Sequence, residues 1–127
     1  MKIAVIDDDS AIIMLLDLAL TADGHEVVSV LVKDQTVSAL VDGLRNHHPS
    51  AVILDYLLPN IDAIDLKNKL CTALQLDPKC VIFLTASPEA LSDDHPCIAK
   101  PFAPLQISAL VCDMLPFKIQ GTNSNDG

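Results

Sequence analysis

Three consecutive carboxylates, Asp7, Asp8 and Asp9, follow the apolar run IAVI at positions 3 to 6, and a fourth, Asp55, follows AVIL at 51 to 54. Like charges side by side repel, and a carboxylate taken out of water is costly unless something positive faces it. A hard divalent cation with a preference for oxygen, Mg2+, would offset that repulsion by taking one or two carboxylates, a backbone carbonyl and waters. Two more apolar runs end on complementary groups: FLTAS supplies the hydroxyl of Thr85, and IAKPF the ammonium of Lys100. Carboxylates, a metal, a hydroxyl and an ammonium suit a phosphoryl group, whose oxygens need neutralising from several sides. A carboxylate can also accept that group as an acyl phosphate. Singly, each residue has a plainer reading: acids after a strand cap helices, a threonine bonds backbone, a lysine is a solvated charge. Asp9 keeps the cap reading. The others gain weight together, because each ends a different apolar run.

Those groups converge only if the runs are strands of one sheet. IAVI (3–6), EVVSVL (26–31), AVIL (51–54), CVIFL (80–84) and CIA (97–99) each suit a short strand. Between the first two, SAIIMLLDLALTADG has a cap at Ser10 or Asp9, an apolar face through Ile12, Leu16, Ala19 and Leu20, and Gly24 as a stop. Segments 36–47, 62–74 and 104–115 also read as helices, the last entered through Pro104 and closed before Pro116. Alternating strands and helices favour right-handed βαβ units and a parallel sheet covered on both faces, with functional residues at the carboxyl ends of the strands. The length of 127 residues suits one core, and a composition half apolar and without Trp suits a buried parallel sheet. The fold class expected is α/β with a five-stranded parallel sheet.

A formal charge of −9, from 17 acids against 8 basic residues, opposes direct binding to nucleic acid or to an anionic membrane. The four cysteines, Cys71, Cys80, Cys97 and Cys112, include no CxxC pair and lie in apolar segments, so they read as buried, unoxidised thiols. His47 and His48 adjoin at a helix end, where a solvated role is the default. No signal-peptide pattern opens the sequence and no apolar run reaches membrane-spanning length, so a soluble cytoplasmic protein is expected.

The ordered set VIDDD, LDYLLP, LTA and KPF resembles the receiver domains of two-component response regulators, over nearly the whole chain from Lys2 to about Leu115. The resemblance implies a flavodoxin-like receiver over 1–116 followed by a flexible tail over 117–127. It implies that Asp55 is the phosphoacceptor, that Asp7, Asp8, Asp55 and the Leu57 backbone carbonyl hold Mg2+, and that Thr85 and Lys100 bind the phosphoryl oxygens. The phosphoryl donor would be a sensor histidine kinase or a histidine phosphotransfer protein, and the output an unidentified downstream protein. Such a domain is a switch more than an enzyme.

Four departures from the family pattern stand out. Ala63 occupies a position where glycine is usual; if that position needs positive φ, a Cβ costs roughly 1 to 2 kcal/mol, unless the loop takes another shape. Leu57 is apolar where many receivers carry a polar side chain. Thr85 and Lys100 are only 15 positions apart, about two helical turns short of the family norm, so the fourth helix is expected to be short or missing, with Ser87 capping what remains. Cys97 stands where the family usually has an aromatic reporter. Two alternatives remain at this point. One is a receiver-like module that binds partners without phosphorylation. The other is a phosphatase of the haloacid dehalogenase type, suggested only by DDDSA.

Overall fold

The computed structural model describes residues 1–92 and 94–113. Five strands, β1 (Lys2–Asp7), β2 (Glu26–Leu31), β3 (Ala51–Asp55), β6 (Val81–Thr85) and β7 (Cys97–Ala99), form one parallel sheet in the order β2-β1-β3-β6-β7. This is the flavodoxin-like order. The central strands β3 and β6 are buried along their whole length, as the unbroken apolar runs require, whereas β2 at the sheet edge leaves Glu26, Ser29 and Leu31 exposed.

Because side chains alternate across a strand, the two faces build two separate cores. Ala4, Ile6, Val52, Leu54, Val81 and Phe83 meet Leu40, Val41 and Leu44 of α2 (Val37–Arg45) and Ala63, Leu66 and Leu70 of α3 (Ala63–Leu74). On the other face Ile3, Val5, Ile53, Ile82 and Leu84 meet Leu16 and Leu20 of α1 (Ser10–Ala22) and Ile107 and Val111 of a last helical stretch at 104–113. Each fully buried leucine or isoleucine among them contributes about 1.5 to 3 kcal/mol.

Local signals fix where the helices start and stop. Asp9, not Ser10, caps α1, its carboxylate accepting the Ala11 N–H at 2.9 Å. The helix closes in a Schellman turn: the Gly24 N–H donates to the Thr21 carbonyl and the His25 N–H to the Leu20 carbonyl. Gly24 has φ 89°, a conformation that costs glycine nothing. Asp62 caps α3 through the amides of Ile64 and Asp65.

Several expectations need correction. Ala63 has no positive φ; it is the buried first residue of α3. The preceding loop is a hairpin of β4 (Leu57–Leu58) and β5 (Ile61–Asp62), in which Asn60 takes the left-handed conformation at φ 59°. Cys80 belongs to the 3-10 turn Pro78–Cys80, so the strand begins at Val81. Cys112 is exposed and Cys71 and Cys97 are only half-buried, leaving Cys80 as the one buried thiol of the four. The fourth helix is indeed reduced, to a single 3-10 turn at Pro88–Ala90, but Ser87 makes no side-chain cap bond there. His47 and His48 are exposed just beyond α2. The expected helix end at Leu115, the boundary at 116 and the tail at 117–127 lie outside the described residues. Among the described residues no helix is long and apolar enough to cross a membrane.

Candidate functional site

Parallel register brings four strand ends to one edge of the sheet. Asp7 ends β1 beside Leu31, Asp55 ends β3 beside Leu84, Thr85 ends β6 beside Ala99, and Lys100 follows β7 directly. Ladder bonds hold the backbone there: the Lys100 N–H donates to the Thr85 carbonyl at 2.7 Å and the Tyr56 N–H to the Leu84 carbonyl at 2.9 Å. The strand order reverses between β1 and β3, and an open sheet leaves its crevice at that point, above Asp7 and Asp55.

Carboxylate oxygens of Asp7, Asp8 and Asp55 all lie within 4.8 Å of one another. Asp7 and Asp55 are buried and Asp8 is exposed. Lys100 Nζ donates to Asp55 Oδ1 at 3.0 Å and lies 3.6 Å from Asp7 Oδ2. The Asp9 N–H donates to Asp7 Oδ1 at 3.0 Å, while Asp7 Oδ2 is buried without a hydrogen bond. Burial pushes the Asp7 carboxyl up to about 6, aided by the charge of Asp55 and opposed by the Asp9 amide and Lys100. Burial also raises Asp55, with Lys100 and the Leu57 amide holding it back. For Lys100, burial acts downward but is outweighed by the hydrogen bond to Asp55 and the charges of Asp7 and Asp55, so its net shift is upward.

Three carboxylates against one ammonium leave the site net negative, and the buried Asp7 Oδ2 has the Lys100 charge nearby but no hydrogen bond. Hard oxygen donors in this number and spacing fit a divalent cation of the Mg2+ type.

Thr85 reaches the same edge, 2% exposed, with its Oγ1 accepting the Ser87 N–H at 3.0 Å. Its O–H is left to donate. Leu57 is 71% exposed at the start of β4. Ala86 is exposed beside Thr85. The sequence reading missed a second polar cluster below this edge. Lys67, on α3 and 2% exposed, hydrogen-bonds His95 Nδ1 at 2.8 Å and lies over the Phe83 ring. The signal was present, since Ala63, Leu66, Lys67 and Leu70 follow the helical core spacing.

No family model matches the chain. Among curated proteins it is 32% identical over 123 residues to the phosphate regulon transcriptional regulatory protein PhoB of Rhizobium meliloti, covering 90% of this chain and 52% of PhoB. The chain therefore spans about half the length of that relative. Among solved structures, the response regulator PhyR from Brucella abortus superposes with a TM-score of 0.80 at 26% identity, covering 98% of this chain and 51% of PhyR. The receiver domain of the hybrid histidine kinase CckA matches at a TM-score of 0.73 and 20% identity, over 91% of this chain and 99% of that one, a likeness of fold alone. Sheet order, strand-end chemistry and these relatives agree in making the chain similar to the receiver domains of response regulators.

Proposed function

We propose that this receiver takes a phosphoryl group onto Asp55 from a phosphorylated histidine of a sensor kinase or phosphotransfer protein, and that the modification changes which protein it binds. One observation supports this most: three carboxylates within 4.8 Å share a single ammonium, which sits on Asp55. The proposed Mg2+ ligands are Asp7, Asp8, Asp55 and the Leu57 carbonyl. When bound, the ion would supply positive charge for the phosphoryl oxygens.

The chain's own residues do the rest. A carboxylate oxygen of Asp55 attacks phosphorus, the P–N bond to the donor histidine breaks, and the imidazole leaves with its electron pair, taking a proton from water. Lys100, already 3.0 Å from Asp55, remains beside the new phosphoryl oxygens and stabilises their charge. Thr85 turns its free O–H toward them. Ala86 and Leu57 leave the approach open without adding an acid or base.

Intact-mass spectrometry with a small phosphodonor tests this reading. One phosphoryl should be gained in the presence of Mg2+, and none after Asp55→Asn. An equal gain in the Asn variant would overturn the assignment.

A further inference from the structure

Lys67 stands out because nothing in the phosphoryl chemistry calls for it. It occupies a core position of α3, 2% exposed, between Leu66 and Leu70. Its Nζ lies 5.3 Å from the centroid of the Phe83 ring and 2.8 Å from His95 Nδ1. Among the described residues it forms no ion pair. A buried ammonium is costly without polar partners, and among the described residues the imidazole supplies its side-chain hydrogen bond.

His95 belongs to the segment that replaces the fourth helix. Its ring packs edge-on against Phe83, which also meets Tyr56 edge-on, and Leu91 and Cys97 pack on the same apolar cluster. Backbone bonding continues the attachment, with the Phe83 N–H donating to the Pro96 carbonyl at 2.9 Å. Lys67–His95 is thus the polar fastening between this segment and α3.

We propose that the Lys67–His95 hydrogen bond is an acid-sensitive latch, which fastens residues 94–96 to α3 and releases them when a second proton reaches the pair. Two nitrogens 2.8 Å apart can share one hydrogen between them. If Lys67 is an ammonium, the neutral imidazole accepts; if Lys67 is a neutral amine, either nitrogen can donate. With ammonium and imidazolium together, no lone pair remains and two positive charges face each other. His95 is the less buried of the two partners, so its side of the bond is the one that opens.

The neighbouring groups act in a consistent direction. Burial lowers the Lys67 amine, with Cys71 on the next turn of α3 and Asp94 pulling the other way. Burial and then the Lys67 charge lower His95, opposed by Asp94. The Cys71 thiol is itself raised by burial. A histidine lowered by docking stabilises the docked state fully above its free value of about 6.5, and that contribution is lost as pH falls through the docked value. Lysine lowered by docking has the same sign. Acid therefore loosens residues 94–96.

Nitrogen-15 NMR on the unphosphorylated, metal-free protein tests the latch. His95 should titrate below the free imidazole value of about 6.5. Amide protection over residues 94–98, corrected for intrinsic exchange, should fall about threefold or more between neutral pH and pH ~5.5. In Lys67→Met, which keeps the apolar stem, the His95 midpoint should rise, though burial still holds it down, and the pH dependence of the protection should weaken. The inference is overturned if wild-type His95 titrates at or above the free imidazole value of about 6.5, or if protection over 94–98 is the same at both pH values. Both decisive readings use the wild-type chain, so they stand whether or not the variant folds.

Discussion

Lys100 and Asp55 are 45 positions apart in the chain and joined by a 3.0 Å hydrogen bond across the carboxyl edge of the sheet. The same ammonium lies 3.6 Å from Asp7, so one cation serves two buried carboxylates. Removing it leaves both without their counter-charge. Lys100→Met should destabilise the metal-free protein by about 2 kcal/mol, less than for a fully buried pair because the lysine side chain is 26% exposed. Thermal unfolding should show a lower Tm, and Mg2+ should raise it by more than in the parent.

Asp7, held at about 6 by burial, gives the site a defined pH dependence. A carboxyl raised in the fold contributes stability that is full below its unfolded value of 3.8 and lost as pH rises through about 6. Asp7→Asn should therefore raise metal-free stability at pH ~7.5, by on the order of 2 kcal/mol. Mg2+ binding needs the ionised form, so its affinity in the parent should fall as pH drops through about 6. Calorimetric titration across that range checks the second point, and urea unfolding of the variant the first.

Much of this site was legible because a parallel sheet gathers strand ends, and each relevant strand is an unbroken apolar run ending on its functional residue. Asp7, Asp55 and Thr85 could be placed from that pattern alone, and Lys100 from the short CIA run before it. The hairpin at Leu57–Leu58 and Ile61–Asp62 was not legible, since two-residue strands carry no periodicity, and the backbone strain expected at Ala63 falls instead on Asn60. Cys112 looked buried by its apolar neighbours, yet the last helix buries Ile107 and Val111 and turns position 112 outward. Lys67 was overlooked because a helical lysine reads as solvated even when its spacing places it on the core stripe.

Leu57 offers no polar group to orient a water toward a phosphoryl on Asp55, and its side chain is 71% exposed at the rim. Leu57→Asn should shorten the lifetime of the acyl phosphate, by roughly threefold to tenfold if the amide positions water modestly. Release of inorganic phosphate over time measures this. An unchanged or slower decay would count against the role given to Leu57.

The segment after Thr85 should respond to modification unevenly. Thr85 Oγ1 accepts from the Ser87 N–H, so drawing the hydroxyl toward a phosphoryl group pulls directly on residues 86–90. Residues 94–98 are already fastened by His95 and by the Pro96 carbonyl. Hydrogen exchange at neutral pH, with and without a phosphoryl mimic, should show protection gained mainly over 86–90. Changes confined to other elements would mean that the output surface lies elsewhere.

Asp55, rather than any of the three consecutive acids at 7–9, is the proposed carrier of the phosphoryl group. Borohydride reduction of the phosphorylated protein, followed by peptide mass spectrometry, reads this directly, because an aspartyl phosphate is converted to homoserine where it stood. Homoserine at position 55, formed only when Mg2+ accompanied the phosphodonor, is the expected result. Homoserine at position 7, 8 or 9, or none anywhere after a confirmed phosphoryl gain, would contradict the account.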